Sequence, residues 1–389
     1  MTRHSALLLL MFPVLVMGLA QVQIAQYANM LIFQNSRESY AWIYAMSSIS
    51  PLIVVPIATV LSDSIGRRPL LLAGFSASML QCILLLIGYS LQLNIAVVLL
   101  GVLTSCCFTI FQSYCADITT GKNRAPVFLS ILAVWTLGTI AGGATGTMSF
   151  VYGDVTLYGL LILLGAMLVA MYFILPESLK AENRKPFTWK EGNVIGTSRI
   201  LFDSKNSTLI VVALMLGSAA VYAMTSISPQ IIRQSMHDVD TRFLADSMLY
   251  QQLTSIAAAA FAVFMVFGNG KSKTVVTLLS IAAIGCLVIP FAPTTMLFRI
   301  ANLLPRVSGA GLAIFYAMMI ENKAPSQYAT TLGGFASLAP IAFILGSANG
   351  TLYGSLIEGQ FLWVASAVPA VLFLISIVVF TNIPKEDRQ

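Results

Sequence analysis

The chain has 389 residues, of which 58% are hydrophobic and only 9% charged, far from the roughly 25% charged share of a soluble globular protein. That composition excludes a soluble enzyme, and apolar blocks running from residue 6 to residue 381 exclude a single greasy anchor on a soluble body. The net charge of +6 follows from where basic residues fall relative to the bilayer, so it calls for no nucleic-acid partner.

A bilayer span takes about 20 mostly apolar residues. On that measure the first six spans fall at 6–30, 41–61, 70–90, 93–115, 126–149 and 156–175. After a polar stretch, six more fall at 207–228, 246–267, 274–291, 296–320, 328–349 and 361–381. The first begins like a secretory signal peptide, with Arg3 ahead of an apolar run. It continues without a polar break through Ile24, Met30 and Ile32, which predicts an uncleaved span. Segments of about ten residues with alternating polarity, the mark of a membrane barrel, do not occur. The expected fold class is an all-α membrane protein with twelve transmembrane helices in two six-helix pseudo-symmetric bundles.

The loops fix an orientation. With the N-terminus in the cytoplasm, sixteen Lys and Arg lie on the cytoplasmic side, three (Arg37, Arg233, Arg242) lie outside, and Arg299 and Arg306 remain within the membrane. The positive-inside rule then puts both termini in the cytoplasm of a multi-pass chain in a bacterial-type cytoplasmic (inner) membrane. Residues 176–206 carry six of those basic residues and divide the spans six and six. The expected domains are therefore an N-terminal bundle at 1–175, a cytoplasmic linker at 176–206 and a C-terminal bundle at 207–389. Within the linker, Trp189 to Ile200 is either an amphipathic surface helix or a polar loop.

Several chemistries lack their residues. Cys82, Cys106, Cys107, Cys115 and Cys286 all lie in apolar blocks and read as small buried hydrophobes. With two histidines and no HExxH or CxxC, no metal site is expected. Gly268 to Ser272 ends like a phosphate-binding loop, but Met265 stands where its first glycine is required, so no nucleotide site and no cofactor is expected.

A faint internal repeat appears at an offset of 204 residues. Asp117 falls on Glu321, Gly66-Arg67 on Gly270-Lys271, Ala125 on Ala329, and Gly142, Gly146 and Thr147 on Gly346, Gly350 and Thr351. Agreement at one offset argues for a duplicated six-helix unit, an architecture that places substrate near the bilayer midplane.

The turn after the second span reads TVLSDSIGRRPLL, the fourth span closes with ADITTGKNRA, and LPES closes the sixth. Through Leu61, Asp63, Gly66, Arg67 and Arg68 the first string resembles the loop motif of the major facilitator superfamily. The other two are similar to the tetracycline-exporter-like drug:proton antiporters. The resemblance implies a twelve-helix secondary transporter and a conformational latch formed by Asp63, Gly66, Arg67, Arg68, Asp117 and Arg124. Physically, a tight turn needs Gly66, and Asp63 can pair with Arg67, Arg68 or Arg124. The N-terminus of the eleventh span would also favour the Asp63 carboxylate. The motif's leading glycine is Thr59 here and its second basic residue is Ser64, which predicts a looser helix contact. Val98 stands where the antiporters carry an arginine linked to proton movement. Gly138, Gly142, Gly143 and Gly146 form a close-packing stripe, read as packing between the halves, as are Gly346, Gly350 and Gly354.

In the family, the first, fourth, seventh and tenth spans line the central cavity. Candidate lining residues are Gln23, Gln26 and Asn29; Thr109 and Gln112; Tyr222 and Thr225; Gln251 from the eighth span; and Arg299 and Arg306. The amides either bind substrate or join helices. Arg299 either binds an anion or snorkels outward, and Arg306 either binds an anion or neutralises carbonyls freed by Pro305. No acid lies deep in a span, so Asp246 and Glu38 are the candidates for proton coupling.

The reading is a monomeric secondary transporter for a small molecule, with export by proton antiport implied by the resemblance. An organic-anion permease or facilitator for a carboxylate metabolite or siderophore is the alternative. A membrane receptor or scaffold lacks a use for a latch, and an enzyme lacks a paired catalytic set.

Overall fold

The computed structural model describes residues 3–35, 50–88, 90–119, 121–235, 241–291, 301, 303–321, 323–353 and 358–383. Within these, side chains are described except at 3–6, 29–30, 32–35, 91, 122, 150, 225–235, 241–248, 343–353 and 358–365. Glu38 and Arg299 lie outside the described residues. The side chains of Asn29, Thr225 and Asp246 and the stripe at Gly346, Gly350 and Gly354 lie outside them too.

All described secondary structure is helical. In chain order the α-helices are α1 (Arg3–Asn35), α2 (Pro51–Ile65), α3 (Arg67–Ile87), α4 (Leu91–Ile118), α5 (Arg124–Tyr152) and α6 (Val155–Ile174). Then come α7 (Val194–Leu201), α8 (Lys205–Ser235), α9 (Thr241–Asn269), α10 (Lys271–Val288), α11 (Ser308–Met319), α12 (Tyr328–Tyr353) and α13 (Glu358–Thr381). Eight are long and apolar enough to cross a bilayer, and 51–65, 304–319 and 366–381 are shorter apolar helical stretches. Apolar helices suit a bilayer because each satisfies its backbone hydrogen bonds internally where no water is available. The exposed Leu8, Ile162, Val169, Phe173 and Phe264 are what a lipid-facing surface presents.

The chain divides into two compact units. The first holds residues 1–127, 134–200 and 322–337, so the opening of α12 belongs with the helices of the first half. In it α3 packs on α4 and α6, and α1 packs on α4 and α6. Glycine lets α1 and α5 touch backbone to backbone: a Cβ at Gly138 or Gly142 would strike the carbonyls of Leu15 and Leu19. The stripe at 138–146 therefore serves packing inside this unit, not packing between halves as its spacing alone suggested. The second unit holds residues 128–133, 201–321 and 338–389. There α13 packs on α8 and α10, and α11 on α8, α9 and α10.

The segment between α6 and α8 is mostly irregular, with a short helix, α7, at Val194–Leu201. Asn193 starts it by accepting the Gly196 N–H at 2.9 Å, an N-terminal cap that fits the first turn. Of the two readings of Trp189 to Ile200, a helix forms over its second half.

Candidate functional site

The first unit contains a buried charge cluster at the turn between α2 and α3. Gly66 closes α2 and opens α3 at φ 114, a left-handed conformation that glycine adopts without strain, and a Cβ there would collide with the Glu177 carboxylate. The turn sends Arg67 inward, where its side chain is fully buried. Arg67 pairs with Asp63, one helical turn back, and with Asp117 Oδ2 at the end of α4 at 3.1 Å. It also donates to Ser62 Oγ at 3.3 Å and to the Pro325 carbonyl at 3.0 Å. One guanidinium thus joins α2, α4 and the 3₁₀ turn ahead of α12, the use for which its forked donors are suited.

Two buried acids against one cation leave a negative excess, and helix termini offset it. Asp63 Oδ2 accepts the Thr330 N–H at 2.8 Å and the Thr330 hydroxyl, in the first turn of α12. Glu177 accepts the first N–H groups of α3, from Arg67 at 2.9 Å and Arg68 at 3.2 Å. Helix N-termini carry free donors and partial positive charge, so both carboxylates sit where the backbone favours them. Asp117 Oδ2 takes a further hydrogen bond from Ser178 Oγ at 2.8 Å.

The other residues assigned to the latch divide. Arg124 is buried at the start of α5, donates to Tyr328 Oη at 3.0 Å and stacks over that ring at 5.0 Å, so it too meets the opening of α12. Arg68 turns to the Tyr172 carbonyl and ring instead. Of the three pairings open to Asp63, the structure makes the one with Arg67. The contact is also tighter than the motif's departures suggested. Thr59 is fully buried, bonds the Val55 carbonyl at 2.8 Å, and lies so close to Gly333 that a Cβ there would overlap it. The glycine required for close approach stands on the facing helix. Ser64 satisfies itself against the Val60 carbonyl at 3.0 Å.

The second unit repeats part of this arrangement. Lys271, opening α10 after Gly270 with φ 80, pairs with Glu321 just beyond α11. These are the partners that the offset of 204 assigns to Arg67 and Asp117, and each pair spans the same 50 residues.

The candidate cavity residues are less uniform. Gln23 is buried and spent on helix joining: it donates to the Thr156 carbonyl at 3.0 Å and accepts from Thr145 Oγ1 at 3.0 Å. Gln26 lies against Gly146, with its Oε1 buried and without a hydrogen-bond partner. Thr109 and Gln112 are buried in α4, and Gln251 is buried in α9. Tyr222 on α8 neighbours Tyr316 on α11. Arg306 sits in a 3₁₀ turn, Leu304–Val307, with Pro305 near its start. The Pro305 carbonyl accepts the Ser308 hydroxyl at 2.6 Å. Asp154 opens α6 and accepts the Tyr27 hydroxyl of α1.

Sequence reasoning gave no role to Glu177, Ser178, Tyr328 or Thr330. The LPES string contains the first two but does not show their partners. Tyr328 falls on Arg124 at the repeat offset, which was an available signal.

A family model described as Major Facilitator Superfamily matches residues 6–270, more than half of the chain. The chain belongs to the Major Facilitator Superfamily. It is a multi-pass membrane transporter of that superfamily, in keeping with the buried turn cluster and the apolar helices around it. A class C tetracycline resistance protein of Escherichia coli is 27% identical over 164 residues, which are 41% of this chain and 40% of that relative. The match therefore spans less than half the length of either protein.

Solved structures share the fold along nearly the whole chain. The human organic anion transporter MFSD10 (TETRAN) superposes with a TM-score of 0.81 at 14% identity, covering 98% of this chain and 100% of that one. The Escherichia coli fucose:proton symporter FucP gives 0.77 at 14% identity, covering 99% and 100%. A bacterial homologue of the iron transporter ferroportin, in an outward-facing state, gives 0.70 at 17%, covering 96% and 99%.

Proposed function

We propose that this chain is a secondary active transporter that exports a small molecule by alternating access. Two six-helix halves, 1–175 and 207–389, move about a midplane site in a bacterial-type cytoplasmic membrane, with both termini and the 176–206 linker cytoplasmic. The observation that carries the reading is the Arg67 cluster: α2, α3 and α5 grip the opening of α12 and the turn ahead of it through Asp63, Arg67 and Arg124, with Asp117 of α4 holding Arg67. A grip made of charges and helix ends is a two-state element, stable when closed and costly to leave half made. The partial likeness to a tetracycline resistance protein supports export of a drug-like molecule. Asp246 and Glu38 are the acids proposed for proton coupling.

The test is transport by the purified chain in proteoliposomes, with tetracycline as probe and an imposed proton gradient. Asp63→Asn keeps size and some hydrogen bonding but removes the charge. It should lower turnover about tenfold, the effect of about 1.4 kcal/mol on a barrier, while changing probe affinity less than twofold. Unchanged turnover would sink the latch. Counterflow that persists without any effect of pH would remove Asp246 and Glu38 from the reading.

A further inference from the structure

Among the described residues, Arg306 is a charge without a counter-charge. Its guanidinium makes no hydrogen bond or ion pair with any described residue, and the described acid at the end of its own helical segment, Glu321, is taken by Lys271. Its position along the helices still places it within the apolar layer. The turn that carries it packs on α10 at Gly285, where a Cβ would strike Leu304. Gly285 is fourteen residues beyond Lys271, which places it about 21 Å along the helix within a hydrocarbon layer about 30 Å thick. An arginine at that depth is costly, and the cost calls for a partner.

Its direction follows from the helix faces. Leu304 and Gly311 face α10, with Gly311 next to Leu278 and Leu279, and Phe315 packs edge-on against Phe380 of α13 at 5.0 Å between centroids. Arg306, Gly309, Ala313 and Tyr316 recur at three, seven and ten residues, so they form a stripe on the side away from α10 and α13, with Ala313 buried and Tyr316 against Tyr222 of α8. A Cβ at Gly309 would meet nothing within 4 Å, so there is open space directly beside the arginine on this face. Gly309 leaves a trough beside the guanidinium, and the Tyr316 and Tyr222 rings stand about 15 Å along the helix from it.

We infer that Arg306 is the anion-binding end of a substrate site, and that the ligand is an amphipathic carboxylate or sulfonate whose apolar body occupies the open trough beside Gly309. A planar carboxylate accepts two hydrogen bonds from guanidinium and is the charge this position lacks. The proposal rests on the transporter reading and names its substrate class.

Three probes with one body separate the possibilities: 4-phenylbutyrate, 4-phenylbutanol and 4-phenylbutylamine, titrated onto the purified full-length chain by ligand-induced thermal shift. The butyrate should bind at least about tenfold tighter than the other two. Arg306→Gln should abolish that preference and Arg306→Lys should retain part of it, since charge survives without the fork. Gly309→Leu should weaken the butyrate by filling the trough while leaving the charge. Equal binding of all three probes to the unmodified chain would overturn the proposal, whatever the variants do. So would anion preference that appears only in Asp246→Asn, because Arg306 would then be that acid's partner. Tetracycline counterflow that persists while anion preference is absent would refute this site and leave the transporter standing. Absence of tetracycline counterflow together with a clear anion preference would refute the export of a tetracycline-like drug and leave the site.

Discussion

Two ion pairs 204 residues apart occupy matching places in the two units, and they are built to different depths. Arg67 and Asp117 are 0% and 3% exposed, whereas Lys271 and Glu321 are 9% and 21% exposed. The first pair has a third charge, Asp63, which accepts the Thr330 N–H and hydroxyl in the first turn of α12. At the matching position of the second unit stands Phe267, itself 64% exposed. The residue matching Thr330 is Pro126, which has no N–H to give. Duplication supplied the turn twice, but the acid and its donor occur at only one of the two places. A repeat can keep a shape while only one copy keeps the chemistry that closes it.

Breaking each copy in turn measures that asymmetry. Arg67→Met should have the largest effect, because it leaves two buried carboxylates facing each other. A loss of about 3 to 5 kcal/mol is expected, read as a fall of several degrees in the thermal midpoint, with little folded protein recovered. Gly333→Ala should come next, at about 1 to 3 kcal/mol, since its Cβ overlaps Thr59. Thr59→Gly should restore much of that loss, and additive losses in the double variant would mean that the two positions do not share a contact. Glu177→Gln removes the charge from the N-terminus of α3 and should cost about 1 kcal/mol or less. The smallest effect is expected from Lys271→Met, under about 1 kcal/mol. A loss there as large as that of Arg67→Met would erase the distinction between the two copies.

How much of this was legible in the sequence depended on separation along the chain. The turn around Gly66 and the pairing of Asp63 with Arg67 span only four residues, and local spacing suffices to read them. The donors that complete Asp63 lie 267 residues away in α12. Only the general preference of acids for helix starts pointed there, and it named the helix without naming Thr330. Gln23 was ambiguous for a different reason. One of its partners is the backbone carbonyl of Thr156, and carbonyls leave no trace in a sequence. The glycine stripe of α5 announced a close approach, but spacing says nothing about which helix approaches. Arg306 was visible as an intramembrane charge, while the 3₁₀ turn that carries it and the open space beside Gly309 depend on packing.

Thr59 and Gly333 show what a motif measures. Read one position at a time, a threonine where the family's loop begins with glycine counts as a defect. The quantity that governs whether two helices close is the combined volume on both sides of their contact, and a bulky residue opposite an empty one occupies about as much room as the reverse. A pattern that scored such facing pairs would count this chain as an intact example, and would find others whose glycine has changed sides.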